Sequence, residues 1–106
     1  MHIPRRNVGT LGKGKQMKVV WKFLLDLKDY ANPRFELTMP RDARILTVQM
    51  QAGIPCLWAE VYPDNPVEVR RFAIVSTGCP VPPGVSYIGT WQDGPFVWHL
   101  YEGPRG

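Results

Sequence analysis

The sequence predicts an all-β domain, mainly antiparallel, whose six or seven short strands close into a small barrel or sandwich. Three observations lead there. Apolar residues recur with a period of two, not 3.6, through most of residues 18–101. Eleven prolines and ten glycines in 106 residues cut the chain into pieces too short for a bundle of long helices. Two dipeptides, Ala52-Gly53 and Asp93-Gly94, stand between alternating runs, where hairpin turns belong.

Taken in order, Lys18 to Lys28 reads as a long first strand. Val19, Trp21, Phe23, Leu25 and Leu27 share one phase, Lys22, Asp26 and Lys28 the other, and Ala31, Asn32 and Pro33 break it. Phe35 to Thr38 is a short second strand, ended by the turn at Met39, Pro40, Arg41 and Asp42. Ala43 to Gln51 and Ile54 to Tyr62 form a hairpin with Gln51 opposite Ile54, Gln49 opposite Cys56, Thr47 opposite Trp58 and Ile45 opposite Glu60. One of its faces carries Leu46, Val48 and Met50 against Pro55, Leu57, Ala59 and Val61, which makes it core. Its other face mixes Gln, Thr, Cys and Trp and is half dry.

Pro63, Asp64, Asn65 and Pro66 form a loop before a further strand, Val69 to Ser76. Gly78 to Gly84 holds Pro80, Pro82 and Pro83, and three missing N–H groups forbid a paired central strand there. A last hairpin, Ser86 to Gln92 and Pro95 to Tyr101, turns at Asp93-Gly94 and sets Trp91 opposite Phe96, Gly89 opposite Trp98 and Tyr87 opposite Leu100. Trp21 and Trp98 fall in phase with apolar neighbours and read as core.

The net charge of +4 is unevenly placed. Arg5, Arg6, Lys13 and Lys15 lie in residues 1–16 with no acid, and the remainder holds nine basic against nine acidic residues. Residues 1–16 therefore read as a disordered basic leader, either an electrostatic arm or an upstream extension with Met17 as the natural start. Residues 17–106 read as one formally neutral domain, which makes non-specific nucleic-acid binding unexpected. No apolar run approaches the roughly 18 residues of a membrane span, and no signal-peptide core precedes the domain. A soluble cytoplasmic protein is expected.

Chemistry is sparse. Cys56 and Cys79 lie far apart and His2 sits in the leader, so no metal-ligand spacing exists and neither metal nor cofactor is expected. Cys79 and His99 are the minimum for a thiol–histidine pair, without a helix N-terminus to activate the thiol. Paired carboxylates and phosphate-binding glycine loops are absent, and an enzyme is not expected. Binding remains. Trp58 shares its face with Thr47, Gln49, Gln51 and Glu60, and an indole among amides suits a subunit interface or stacking on a nucleobase. Lys22 and Arg44 become phosphate contacts where an oligomer gathers them. Thr77 and Gly78 have backbone N–H groups for an anion. His99, beside Val97 and Tyr101, is either a partly exposed, satisfied histidine or a further ligand contact.

From Met17 to Glu102 the chain resembles a widespread family of small, uncharacterised proteins of tailed bacteriophages and prophages. The likeness runs through Trp21, Lys22 and Phe23, then Met39-Pro40. It continues through Leu46, Val48, Gln49, Gln51 and Gly53, then Leu57, Trp58 and Ala59. The loop residues Gly78, Pro80 and Pro82 follow, then Tyr87 to Thr90 and Val97 to Glu102. Residues 1–16, Cys56 and Cys79 lie outside its pattern. The resemblance implies a counter-defence role in the host bacterial cytoplasm, similar to tetrameric sponges that sequester cyclic nucleotide immune signals. The expected site is Lys22, Arg44, Gln49, Gln51, Trp58, Thr77, Gly78 and His99, completed by a homo-oligomer, a tetramer first. The rival expectations are an inhibitor that covers a host effector protein and a small virion component.

Overall fold

A computed structural model describes residues 17–25 and 34–104. The expected leader, the end of the first strand and its break at 31–33 lie outside the described residues. Seven antiparallel strands run in the order β1 (Val19–Leu24), β2 (Arg34–Pro40), β3 (Arg44–Gln51), β4 (Ile54–Val61), β5 (Val67–Ser76), β6 (Ser86–Asp93) and β7 (Phe96–Glu102). They form two sheets, ordered β1-β4-β3 and β2-β5-β7-β6. The all-β expectation holds, as a sandwich and not a closed barrel: β3 and β6 lie against each other without a shared hydrogen-bond ladder.

The core fills the space between the sheets because each strand alternates. Val48, Leu57, Ala59 and Val61 from one sheet meet Met39, Phe72, Ile74, Trp91 and Leu100 from the other, all buried. Phe35 stacks on Phe72 with ring centroids 5.3 Å apart. Trp98 packs on the edge of this core, as expected. Trp21 does not follow the expectation: it is 40% exposed, because β1 is an edge strand and its indole reaches the open side of the sandwich.

The first hairpin turns at Ala52 and Gly53, with φ of 52° and 79°, the two positive values a type I′ turn needs. Its register matches expectation from Gln51↔Ile54 to Thr47↔Trp58. A β-bulge then intervenes, so Ile45 pairs with Ala59, not Glu60, and Arg44 pairs with Glu60. The extra residue shifts the phase. Ile45 turns to the core, Arg44 turns to the outer face, and Leu46, expected inside, is 42% exposed.

The last hairpin corrects the sequence reading. Asp93 pairs with Phe96, so Gly94 and Pro95 are the turn, with Gly94 at φ 59°. A positive φ followed by proline fits a type II′ turn. As far as Gly89 each partner slides two positions: Trp91 faces Trp98, Thr90 faces His99 and Gly89 faces Leu100. Trp98 therefore does not cover Gly89. What meets Gly89 is Val48 of the opposite sheet, whose Cγ1 would stand 2.8 Å from a Cβ placed there. A second bulge, between Tyr87 and Gly89, carries Tyr87 outward to pair with Tyr101.

Among the described residues one charged side chain is buried. Arg70 of β5 is 3% exposed and donates from Nε and Nη2 to the two carboxylate oxygens of Glu102, at 2.6 and 2.8 Å. Its Nη1 donates to the Ala43 carbonyl at 2.7 Å. This fork ties β5, the end of β7 and the entry to β3 together.

Candidate functional site

Five of the eight expected site residues share the outer face of the β1-β4-β3 sheet. Pleating puts Val20, Lys22 and Leu24 of β1, Ile54, Cys56, Trp58 and Glu60 of β4, and Thr47, Gln49 and Gln51 of β3 on that side. The bulge adds Arg44. Trp58 sits at the centre, half-buried, between Lys22 on one neighbouring strand and Thr47 on the other. The aliphatic side chains around it stay exposed: Val20, Leu24 and Ile54 at 56%, 54% and 43%.

The polar groups of this face are already partly organised. Lys22 Nζ donates to Gln51 Oε1 at 2.7 Å, although the two residues lie on opposite flanks of β4. The register places Cys56 beneath that bridge, and Cys56 is 1% exposed, its thiol donating to the Ile54 carbonyl at 3.4 Å. Arg44 Nη1 lies 3.4 Å from Glu60 Oε1, and Lys18 Nζ lies 3.9 Å from the same oxygen. These exposed pairs add little stability. Their effect is to hold lysine and arginine at the rim and leave the indole in the middle.

Thr77, Gly78 and His99 lie elsewhere, with the other sheet. Thr77 Oγ1 is 2.9 Å from His99 Nε2, Thr90 Oγ1 is 2.9 Å from His99 Nδ1, and the Tyr87 hydroxyl is 2.6 Å from Thr90 Oγ1. The Thr77 hydroxyl also donates to the Val97 carbonyl at 3.4 Å, so its oxygen is free to accept from His99 Nε2–H. The Thr77 amide donates to that same carbonyl at 3.3 Å, which removes it as an anion donor. Gly78, at φ 95°, faces open space. Cys79 is exposed and its sulfur lies 3.0 Å from Ser76 Oγ, so the thiol's neighbour is a serine. The sequence reading missed Thr90 and Tyr87 because both depend on the slipped turn and the second bulge.

Concavities of about 600, 410 and 300 Å³ are lined by other parts of the chain: the β2–β5 surface with the proline loop, the end where β3 meets β6, and the loop beside Trp98. Arg44 reaches the second of these; Lys22, Gln49, Gln51 and Trp58 line none of the three. The tryptophan face lies outside these three concavities, Arg44 apart. Among the described residues no three His, Cys, Asp or Glu side chains group as a metal site, and no helix is long and apolar enough to cross a membrane. Residues 17–106 match the family model described as a domain of unknown function, DUF7352. No curated protein and no solved structure matches the chain.

Proposed function

The chain belongs to the DUF7352 family, a domain of unknown function, and we propose that it is a phage counter-defence protein that acts by stoichiometric binding, without catalysis. Its working surface is the outer face of the β1-β4-β3 sheet. The ligand is a cyclic nucleotide signal in the host cytoplasm, held where a second copy of the chain closes over that face. The observation that carries this reading is the gathering of Lys22, Arg44, Gln49, Gln51 and Trp58 on one sheet face around a half-buried indole. Trp58 stacks on a base, the two glutamines read its edge, and the rim cations offset phosphate charge. A second copy is required because the outer face of one sheet covers only one side of a small ligand.

A thermal-shift series on the full chain tests it, with cyclic GMP–AMP, cyclic di-AMP and cyclic tri-AMP as probes. At a hundredfold excess over Kd a bound ligand stabilises by about 2.7 kcal/mol, a rise of roughly 10 °C for a domain of this size. Trp58→Ala should abolish that rise while leaving the unliganded transition within a few degrees. A flat response to all three probes overturns the nucleotide reading. It would favour the second reading, an inhibitor that covers a host effector protein, which the exposed Val20, Leu24 and Ile54 around a central tryptophan also fit.

A further inference from the structure

Among the described residues β1 lies at the edge of its sheet, and its main chain is set up for another strand. Leu25 N–H donates to the Pro55 carbonyl at 3.0 Å. In an antiparallel ladder the same orientation recurs at every second residue, so Phe23, Trp21 and Val19 also turn their N–H and C=O groups toward β4. Val20, Lys22 and Leu24 turn theirs outward. Natural edge strands are blunted with proline, bulges or charge. Val19–Leu24 has no proline, no glycine and no bulge, and its one charge, on Lys22, is drawn across β4 to Gln51. Exposed apolar side chains gather on this element and just before it: Met17, Val20, Trp21 and Leu24 are 53%, 56%, 40% and 54% exposed. Trp21 is in the inward phase, so its exposure marks an open side of the core next to this edge.

We propose that β1 pairs antiparallel with β1 of a second copy of this chain, joining two three-stranded sheets into one six-stranded sheet about a two-fold axis. The partner's identity follows from the register. A two-fold axis normal to the sheet keeps the outer side of one copy on the outer side of the other, so opposed residues must share parity. Centring the axis on Lys22 sets two ammonium groups directly opposite, which is unfavourable. Centring it on Trp21 sets Trp21 opposite Trp21, Val20 opposite Lys22 and Lys18 opposite Leu24. No like charges then meet, each lysine stem lies along an aliphatic side chain, and the two indoles close the open side of both cores. β1 is its own complement. The dimer puts both Trp58 side chains on one continuous face and leaves that face open to the further copy that the proposed function requires; it rests on main-chain geometry and requires no nucleotide.

Sedimentation velocity of the full, ligand-free chain over the micromolar range tests it, and a dimer is the expected species. Val20→Lys places a lysine opposite Lys22 twice per dimer and should raise the dissociation constant by roughly tenfold or more. Val20→Glu places a carboxylate there instead and should leave the dimer intact or tighten it. Val20 is exposed, so both variants keep the fold, which far-UV circular dichroism verifies. A chain monomeric throughout, or one whose dimer responds equally to both substitutions, overturns the proposal. So does a dimer lost in Trp58→Ala but kept in Val20→Lys, which would put the contact on the sheet face. A flat thermal-shift screen leaves a ligand-free dimer untouched, so the two failures are distinguishable.

Discussion

Replacing Gly89 by alanine tests the closest approach between the two sheets. A Cβ at that position would stand 2.8 Å from Val48 Cγ1 and 3.8 Å from the Val48 amide nitrogen. Carbon atoms rest at about 3.5 to 4.0 Å, so something must yield by close to an ångström. Val48 is 2% exposed and β-branched, which leaves its side chain no low-energy rotamer change inside the core. Overpacking of this kind costs about 1 to 3 kcal/mol, and loss of glycine's freedom in the unfolded chain returns about 0.4 to 1 kcal/mol. The net expectation is a loss of about 1.5 kcal/mol, read as a fall of roughly 5 to 10 °C in Tm. Urea denaturation followed by tryptophan fluorescence gives the free energy directly, with Trp91 opposite Trp98 as a reporter near the contact. Val48→Ala alone should cost about 2 kcal/mol. In that background the added methyl has room, so Gly89→Ala should become neutral, with a coupling of about 1 to 2 kcal/mol. A Gly89→Ala chain within about 0.5 kcal/mol of the parent, or an additive cycle, would refute the seam described here.

Further outcomes follow from the other special positions. Glu102→Leu leaves the buried Arg70 guanidinium uncompensated and should cost about 3 kcal/mol, whereas Arg70→Met/Glu102→Leu together should recover most of that loss in the same denaturation assay. Ala52 holds φ 52° without a glycine's freedom, so Ala52→Asn, which makes an Asn-Gly turn, should raise stability by about 0.5 to 1 kcal/mol in a thermal melt. With the Thr77 hydroxyl proton directed at the Val97 carbonyl, its oxygen accepts from the histidine, and long-range nitrogen–proton NMR should then find the neutral His99 ring carrying its proton on Nε2. A proton on Nδ1 would reverse the hydrogen-bond order through Thr90.

How far the sequence could be read depends on where local chemistry ends. The Ala52-Gly53 turn fixed the pairing of the first hairpin as far as Thr47↔Trp58, because alternation propagates outward from a two-residue loop. It stopped at Leu46, where the bulge is set by packing of Ile45 against the opposite sheet. The second hairpin had two plausible turns, Asp93-Gly94 and Gly94-Pro95, and only the meeting of Trp91 with Trp98 selects between them. Because that slip moves partners by two positions, it kept the side chains from Gly89 to Asp93 on their expected faces, and the bulge carried Tyr87 to the other one. His99 was therefore placed on the correct side but with the wrong neighbour. The five residues of the tryptophan face were legible from period two alone, Arg44 excepted, since its phase belongs to the core until the bulge reverses it. Arg70 gave no signal: of the adjacent pair Arg70 and Arg71 in β5, Arg70 is the buried one because Glu102 and Ala43, distant in sequence, converge on it.

That convergence has a consequence for the order of synthesis. Arg70 leaves the ribosome well before Glu102, and until the last strand arrives its guanidinium lacks the carboxylate that lets it be buried. Sheet β1-β4-β3 has all its strands by then, but β5 cannot take its final place without exposing a bare charge to the core. Docking β5 before β7 therefore carries the cost of an unpaired buried charge, which ties closure of the sandwich to the end of its last strand.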